Sequence, residues 1–203
     1  FLAVLALLTL STAANAALIV YTTLESFMAA TTAQGVDTYT GFNINGTTPS
    51  PISRNAGVYG YTATATDDFF GAGTMGDPWL STNEATDPIV FSGFTNGVQA
   101  IGGFFFGSNF DGAYSPGAIT LTALDDSGTS TQTISLATTG SFLGFVSTGT
   151  LLSLSVTTVQ PGARGGSKPN TACRRSSSSA GGRSLMPTVR SPCTLLWPRT
   201  GQM

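Results

Sequence analysis

The side chains able to do acid, metal or ligand chemistry gather in one stretch. Asp67, Asp68, Asp77, Glu84 and Asp87 lie close together in sequence, interleaved with Phe69, Phe70 and Trp79. Oxygen-rich loops of this kind suit Ca2+, which takes roughly six to eight oxygen ligands from carboxylates and carbonyls. Asp67, Asp68, Asp77 and Asp87 are the candidate Ca2+ group, although no EF-hand spacing is present. The competing reading makes them solvated turn acids that keep the protein soluble. Trp79, Tyr59, Tyr61 and Tyr114 are the candidates for stacking on sugar rings, and aromatics at the rim of a sandwich also serve to close its core.

What is missing narrows the chemistry further. The chain has no histidine, and its two cysteines, Cys173 and Cys193, both fall near the C-terminal end. Ser-His-Asp and Cys-His catalysis and the usual His/Cys zinc sites are thereby excluded. Paired carboxylates are the one catalytic constellation left, which would make a glycoside hydrolase. Asp67-Asp68 and Asp125-Asp126 are poor candidates for it, because consecutive strand residues point to opposite faces and acids are common in turns. No residue is assigned a catalytic role. The leading expectation is a non-enzymatic binding or matrix protein, with the hydrolase as the alternative.

These residues need elements to position them, and the composition favours strands. Charged residues make up only 9% of the 203, while Gly, Thr and Ser abound and Phe numbers 13, closer to an extracellular β protein than to a helical cytosolic enzyme. Phe1 to Leu10 is apolar apart from Thr9 and leads to Ala14-Asn15-Ala16, a small-x-small cleavage pattern, so residues 1–16 read as an export signal missing its start. The run is too short to span a bilayer, and no other stretch is long enough for a transmembrane helix. A short strand follows at Ala17 to Tyr21. Thr22 to Thr32 has helix character, with Thr22 and Glu25 at capping-box spacing, and is expected to lie over one end of a sheet.

From Gly35 to Asp87 short apolar pieces alternate with turn residues, which predicts irregular strands and long loops. Ile89 to Thr95 and Val98 to Phe106 flank Asn96-Gly97, a dipeptide suited to a type I′ hairpin. The second of these strands has apolar groups on both faces, as expected for a strand covered on both sides. Gly117 to Leu124 and Thr131 to Ala137 predict another hairpin, with Ile134 and Leu136 inward. Ser141 to Ser147 follows, and Leu151 to Val159 completes the set with Leu152, Leu154 and Val156 inward. The whole predicts an all-β fold, an antiparallel two-sheet β-sandwich, over residues 17–160.

At Pro161 the composition changes abruptly. All ten acids lie between Glu25 and Asp126, whereas seven of the eight bases follow Gln160, leaving Arg54 alone in the body. One base against ten acids makes the body −9, and the tail is +7. Residues 161–203 show no strand or helix period and read as a disordered basic tail. Such an arm could bind an acidic polymer, nucleic acid included, by counterion release, although the body opposes this electrostatically and is not expected to bind nucleic acid. The abruptness fits a shifted reading frame after about Gln160 better.

The segments YTTLESFMAA, WLSTN, IVFSGFTNGVQAIGGFFFG, GAITLTALDDSG and SFLGFVSTGTLLSLSVTT resemble bacterial exported proteins that end in a PEP-CTERM sorting signal, over most of residues 17–160. The resemblance implies a jelly-roll-like sandwich, exported by a Gram-negative bacterium, processed by an exosortase and associated with exopolysaccharide or biofilm matrix. The Pro-Glu-Pro motif, apolar helix and basic terminus of that signal are absent here.

Overall fold

The computed structural model describes residues 17–82, 84, 86–109 and 112–158, together with the backbone of 170–174. The expected export signal at 1–16 and most of the basic tail lie outside the described residues. In chain order the elements are β1 (Leu18–Tyr21), α1 (Leu24–Ala29), β2 (Thr47–Thr48), β3 (Ile52–Ala56), β4 (Tyr59–Thr64), β5 (Phe69–Thr74), β6 (Asp77–Thr82), β7 (Ile89–Ser92), β8 (Ala100–Ser108), β9 (Tyr114–Ser115), β10 (Gly117–Asp125), β11 (Gly128–Ala137), β12 (Phe142–Ser147), β13 (Leu151–Thr158) and β14 (Asn170–Arg174).

The strands form two antiparallel sheets, consistent with the expected sandwich. The larger has the order β1-β12-β8-β14-β6-β5-β2, with β9 also on β8, and the smaller β11-β10-β13-β7-β4-β3. Beyond β4 the chain shuttles between them: β5 and β6, β8, β12 and β14 belong to the larger sheet, and β7, β10 and β11, and β13 to the smaller.

Period-two alternation builds the core between the sheets. In β10 the residues Ile119, Leu121 and Ala123 are fully buried while Thr120 and Thr122 face outward, and β13 does the same with Leu154 and Val156. Phe91, Leu80, Ile101, Phe105 and Phe145 join the same cluster. Burying each such side chain contributes about 1.5–3 kcal/mol. The opposite face of β8 and β12 carries a smaller cluster of Phe27, Ala100, Phe104 and Phe142, over which α1 lies. Every residue of β8 is buried, so the expectation of a strand covered on both sides holds. Gly144 permits the close approach: a side chain there would collide with the Phe27 ring.

Several local expectations are corrected. The helix is capped by Thr23, whose hydroxyl accepts from the Ser26 amide, not by Thr22, and Glu25 only occupies the first turn. Asn96 and Gly97 do take the left-handed conformation, at φ 62° and 72°, but they carry the chain from β7 in one sheet to β8 in the other, so there is no hairpin. Turn chemistry fixes the local bend and not which sheet the next strand joins. The β10–β11 hairpin exists, but Leu136 is 80% exposed because the register shifts between Gly117 and Ile119. A second shift between Leu124 and Asp125 buries Leu151 and turns Leu152 out. Finally, the segment read as structureless contains β14, which runs antiparallel to both β6 and β8 between them.

Candidate functional site

The loop joining β4 to β5 is pinned from behind. Asp87 is buried, and its carboxylate accepts the Thr66 amide at 2.8 Å and the Asp67 amide at 3.4 Å. The Ser50 hydroxyl accepts the Ala65 amide at 2.9 Å and donates to the Ala65 carbonyl at 3.0 Å. With its backbone groups satisfied inward, the loop leaves the side chains of Asp67 and Asp68 exposed.

Those two carboxylates line a cleft of about 590 Å³ together with Thr47, Ser50, Ala65, Thr66 and the half-buried Phe70. The combination offers acceptors, hydroxyls that both donate and accept, and an apolar ring edge or face. It suits a neutral ligand rich in hydroxyls. Among the described residues its lining includes no base to receive an anion.

The structure brings Asp67 and Asp68 together at the mouth of this cleft, with Asp87 behind them as a loop fastener. Asp77 is elsewhere, buried at the β5–β6 turn opposite Thr74. Among the described residues no group of three or more acids, histidines or cysteines is close enough to hold a metal ion.

Three of the four candidate stacking aromatics are core residues, so for Trp79, Tyr59 and Tyr61 the core-closing reading holds and the sugar-stacking one does not. Trp79 is 5% exposed and meets Phe106 edge-on at 4.8 Å. Tyr59 is buried with its hydroxyl donating to the Ala33 carbonyl, and Tyr61 is buried with its hydroxyl donating to Asp37 at 2.7 Å. A ring enclosed on both faces has none to offer a sugar. Tyr114 alone is exposed, at 38%, and its hydroxyl donates to the Ala137 carbonyl.

Two polar constellations escaped sequence reasoning. Arg54 forms a bidentate pair with buried Asp37, Nε to Oδ2 at 2.6 Å and Nη2 to Oδ1 at 2.8 Å, while the Tyr39 amide donates to Oδ1 and the guanidinium lies 5.0 Å from the Tyr39 ring centre. Burial, and then the charge of Asp37, push the Tyr39 phenol well above its ordinary range, and burial does the same to Tyr61. The cluster fastens Arg54 of β3 and Tyr61 of β4 to the segment that carries Asp37 and Tyr39. The signal was available, since the only base among ten acids in the body needs a carboxylate partner once buried.

The second constellation surrounds Asp125, whose Oδ1 accepts from the Ser127 amide and hydroxyl and the Gly128 amide, and whose Oδ2 accepts from the Ser147 hydroxyl at 2.6 Å. Burial alone would raise its carboxyl, but these donors outweigh it and hold the group below the usual carboxylate range. Its signal, an Asp before a two-residue turn, is too common to single out.

In comparisons with known proteins, no family model matches this chain, and no match is found among curated proteins or solved structures.

Proposed function

We propose that this chain is an exported, non-enzymatic protein that binds carbohydrate in the cleft of Asp67 and Asp68, in keeping with the surface or matrix role implied by its resemblance to PEP-CTERM proteins. The observation that carries the reading is the pairing of two exposed carboxylates with the Thr47, Ser50 and Thr66 hydroxyls around Phe70. Carboxylates accept from sugar hydroxyls through charge-assisted bonds, and an aromatic ring covers an apolar sugar face. A hydrolase needs two carboxyl groups on opposite sides of a bond. Asp67 and Asp68 are consecutive residues of one loop, which favours holding a ligand over cleaving it.

The test is calorimetric titration of the purified chain with neutral and anionic polysaccharides, with and without Ca2+. Binding is expected to favour a neutral glycan and to fall at least about tenfold in Asp68→Asn and Phe70→Ala, the loss of a single charge-assisted hydrogen bond or ring contact. A Ca2+ requirement would add the ion as a bridge between the two carboxylates and the sugar. Failure to bind any polymer under either condition defeats the proposal, as does binding that both variants retain in full.

A further inference from the structure

Among the described residues the sandwich has four sheet edges, and three are short or guarded. β1 spans four residues and β2 two, while β3 spans five and carries Arg54. β11 is different: ten residues, GTSTQTISLA, without a charged residue or a proline, and in regular register from Gly128 to Ile134, its one irregularity lying beyond Ile134. Soluble proteins ordinarily blunt such an edge with lysine, proline, a bulge or brevity, because its free N–H and C=O groups template pairing with another chain.

The direction of those groups follows from the hairpin. Asp125 pairs with Gly128 across a two-residue loop, so Gly128, Ser130 and Gln132 turn their backbone groups toward β10, and Thr129, Thr131 and Thr133 turn theirs to the open side. The Thr120–Thr133 and Thr122–Thr131 hydroxyl contacts, at 3.1 and 3.0 Å, fit the closer spacing of pairs that exchange no backbone hydrogen bonds.

We infer that β11 is a strand-pairing interface for a second copy of this chain, joining the two smaller sheets edge to edge about a twofold axis at Gln132. An antiparallel strand is self-complementary under such an axis. In this register Thr131 exchanges hydrogen bonds with Thr133 of the other copy and Thr133 with its Thr131, while Ser130 faces Ile134 and the two Gln132 amides meet. No charge faces another charge along the ladder. The hydroxyl-bearing outer face of β10 and β11 then continues unbroken across the axis. This interface is independent of the carbohydrate reading.

The full chain is examined by sedimentation and light scattering over a range of concentrations. A dimer is expected that Thr131→Pro converts to a monomer, since proline removes only an outward N–H, with Thr131→Lys as a second variant that keeps every backbone donor. Circular dichroism and melting checked on both identify a variant that has failed to fold. Gln132→Cys should form a disulfide between the two 132 positions under mild oxidation, because pairs of this kind hold their Cα atoms about 4.5 Å apart. Peptide mapping distinguishes that link from any made by Cys173 or Cys193. A wild type that is monomeric at every concentration overturns the inference, and so does a dimer that both folded Thr131 variants preserve.

Discussion

The Asp37–Arg54 pair is bidentate and largely buried, with side chains 5% and 19% exposed. Removing one partner of such a pair strands the other without solvent. Arg54→Met is expected to cost about 3–5 kcal/mol in denaturant unfolding, and the double change Arg54→Met with Asp37→Leu to recover much of it. A recovery that fails would mean that Tyr61 and the Tyr39 amide, which also donate to Asp37, need the carboxylate for their own satisfaction. At this scale the sequence was partly legible. The acids near position 67 were recognisable as a group, and the cleft contains two of them. Burial of Trp79, Tyr59 and Tyr61 was one of two readings, since the same aromatic spacing serves a rim or a core and only the covering strands decide.

Among the elements, Asp125 acts as a clamp between sheets. It ends β10 in the smaller sheet and accepts a hydrogen bond from Ser147 at the end of β12 in the larger. Because its carboxyl is held below the ordinary value, its contribution is fully present above the unfolded-state pKa of about 3.9 and disappears as pH falls through the lower folded value. Unfolding free energy should therefore drop across that acid window in the wild type, and the part due to this site should be missing from Asp125→Asn, which is expected to be less stable by about 2 kcal/mol at neutral pH. Denaturant midpoints at a series of pH values read out both. Strand existence in this half of the chain was visible in the alternation of Gly117 to Leu124 and of Ser153 to Val156. Sheet membership was not, because apolar residues on both faces of Val98 to Phe106 report burial without naming the neighbour. The two register shifts that expose Leu136 and Leu152 are likewise invisible to a strict period of two.

On the scale of the whole molecule, β14 is the element that makes one sheet out of two. Without it β1, β12, β8 and β9 would form one piece and β6, β5 and β2 another, with the facing backbone groups of Leu80, Ser81, Phe105 and Phe106 left without their ladder. Proline has no place in a strand paired on both sides. Ala172→Pro is expected to cost at least about 3 kcal/mol and to lower hydrogen-exchange protection in β6 and β8 together, measured by mass spectrometry. The sequence offered no sign of this strand, for five residues between bases and serines carry no apolar period, and their register is set by the two strands they join.

The position of β14 also has a consequence in time. It is the last described element in the chain, yet it fills the middle of the larger sheet, so a ribosome has emitted every other described strand before the one that unites them emerges. Until then the nascent chain can close the smaller sheet, whose strands all precede Val159, but only halves of the larger one. The larger sheet is therefore completed only once the residues up to Arg174 have been made, whereas the smaller one is already in hand at Thr158.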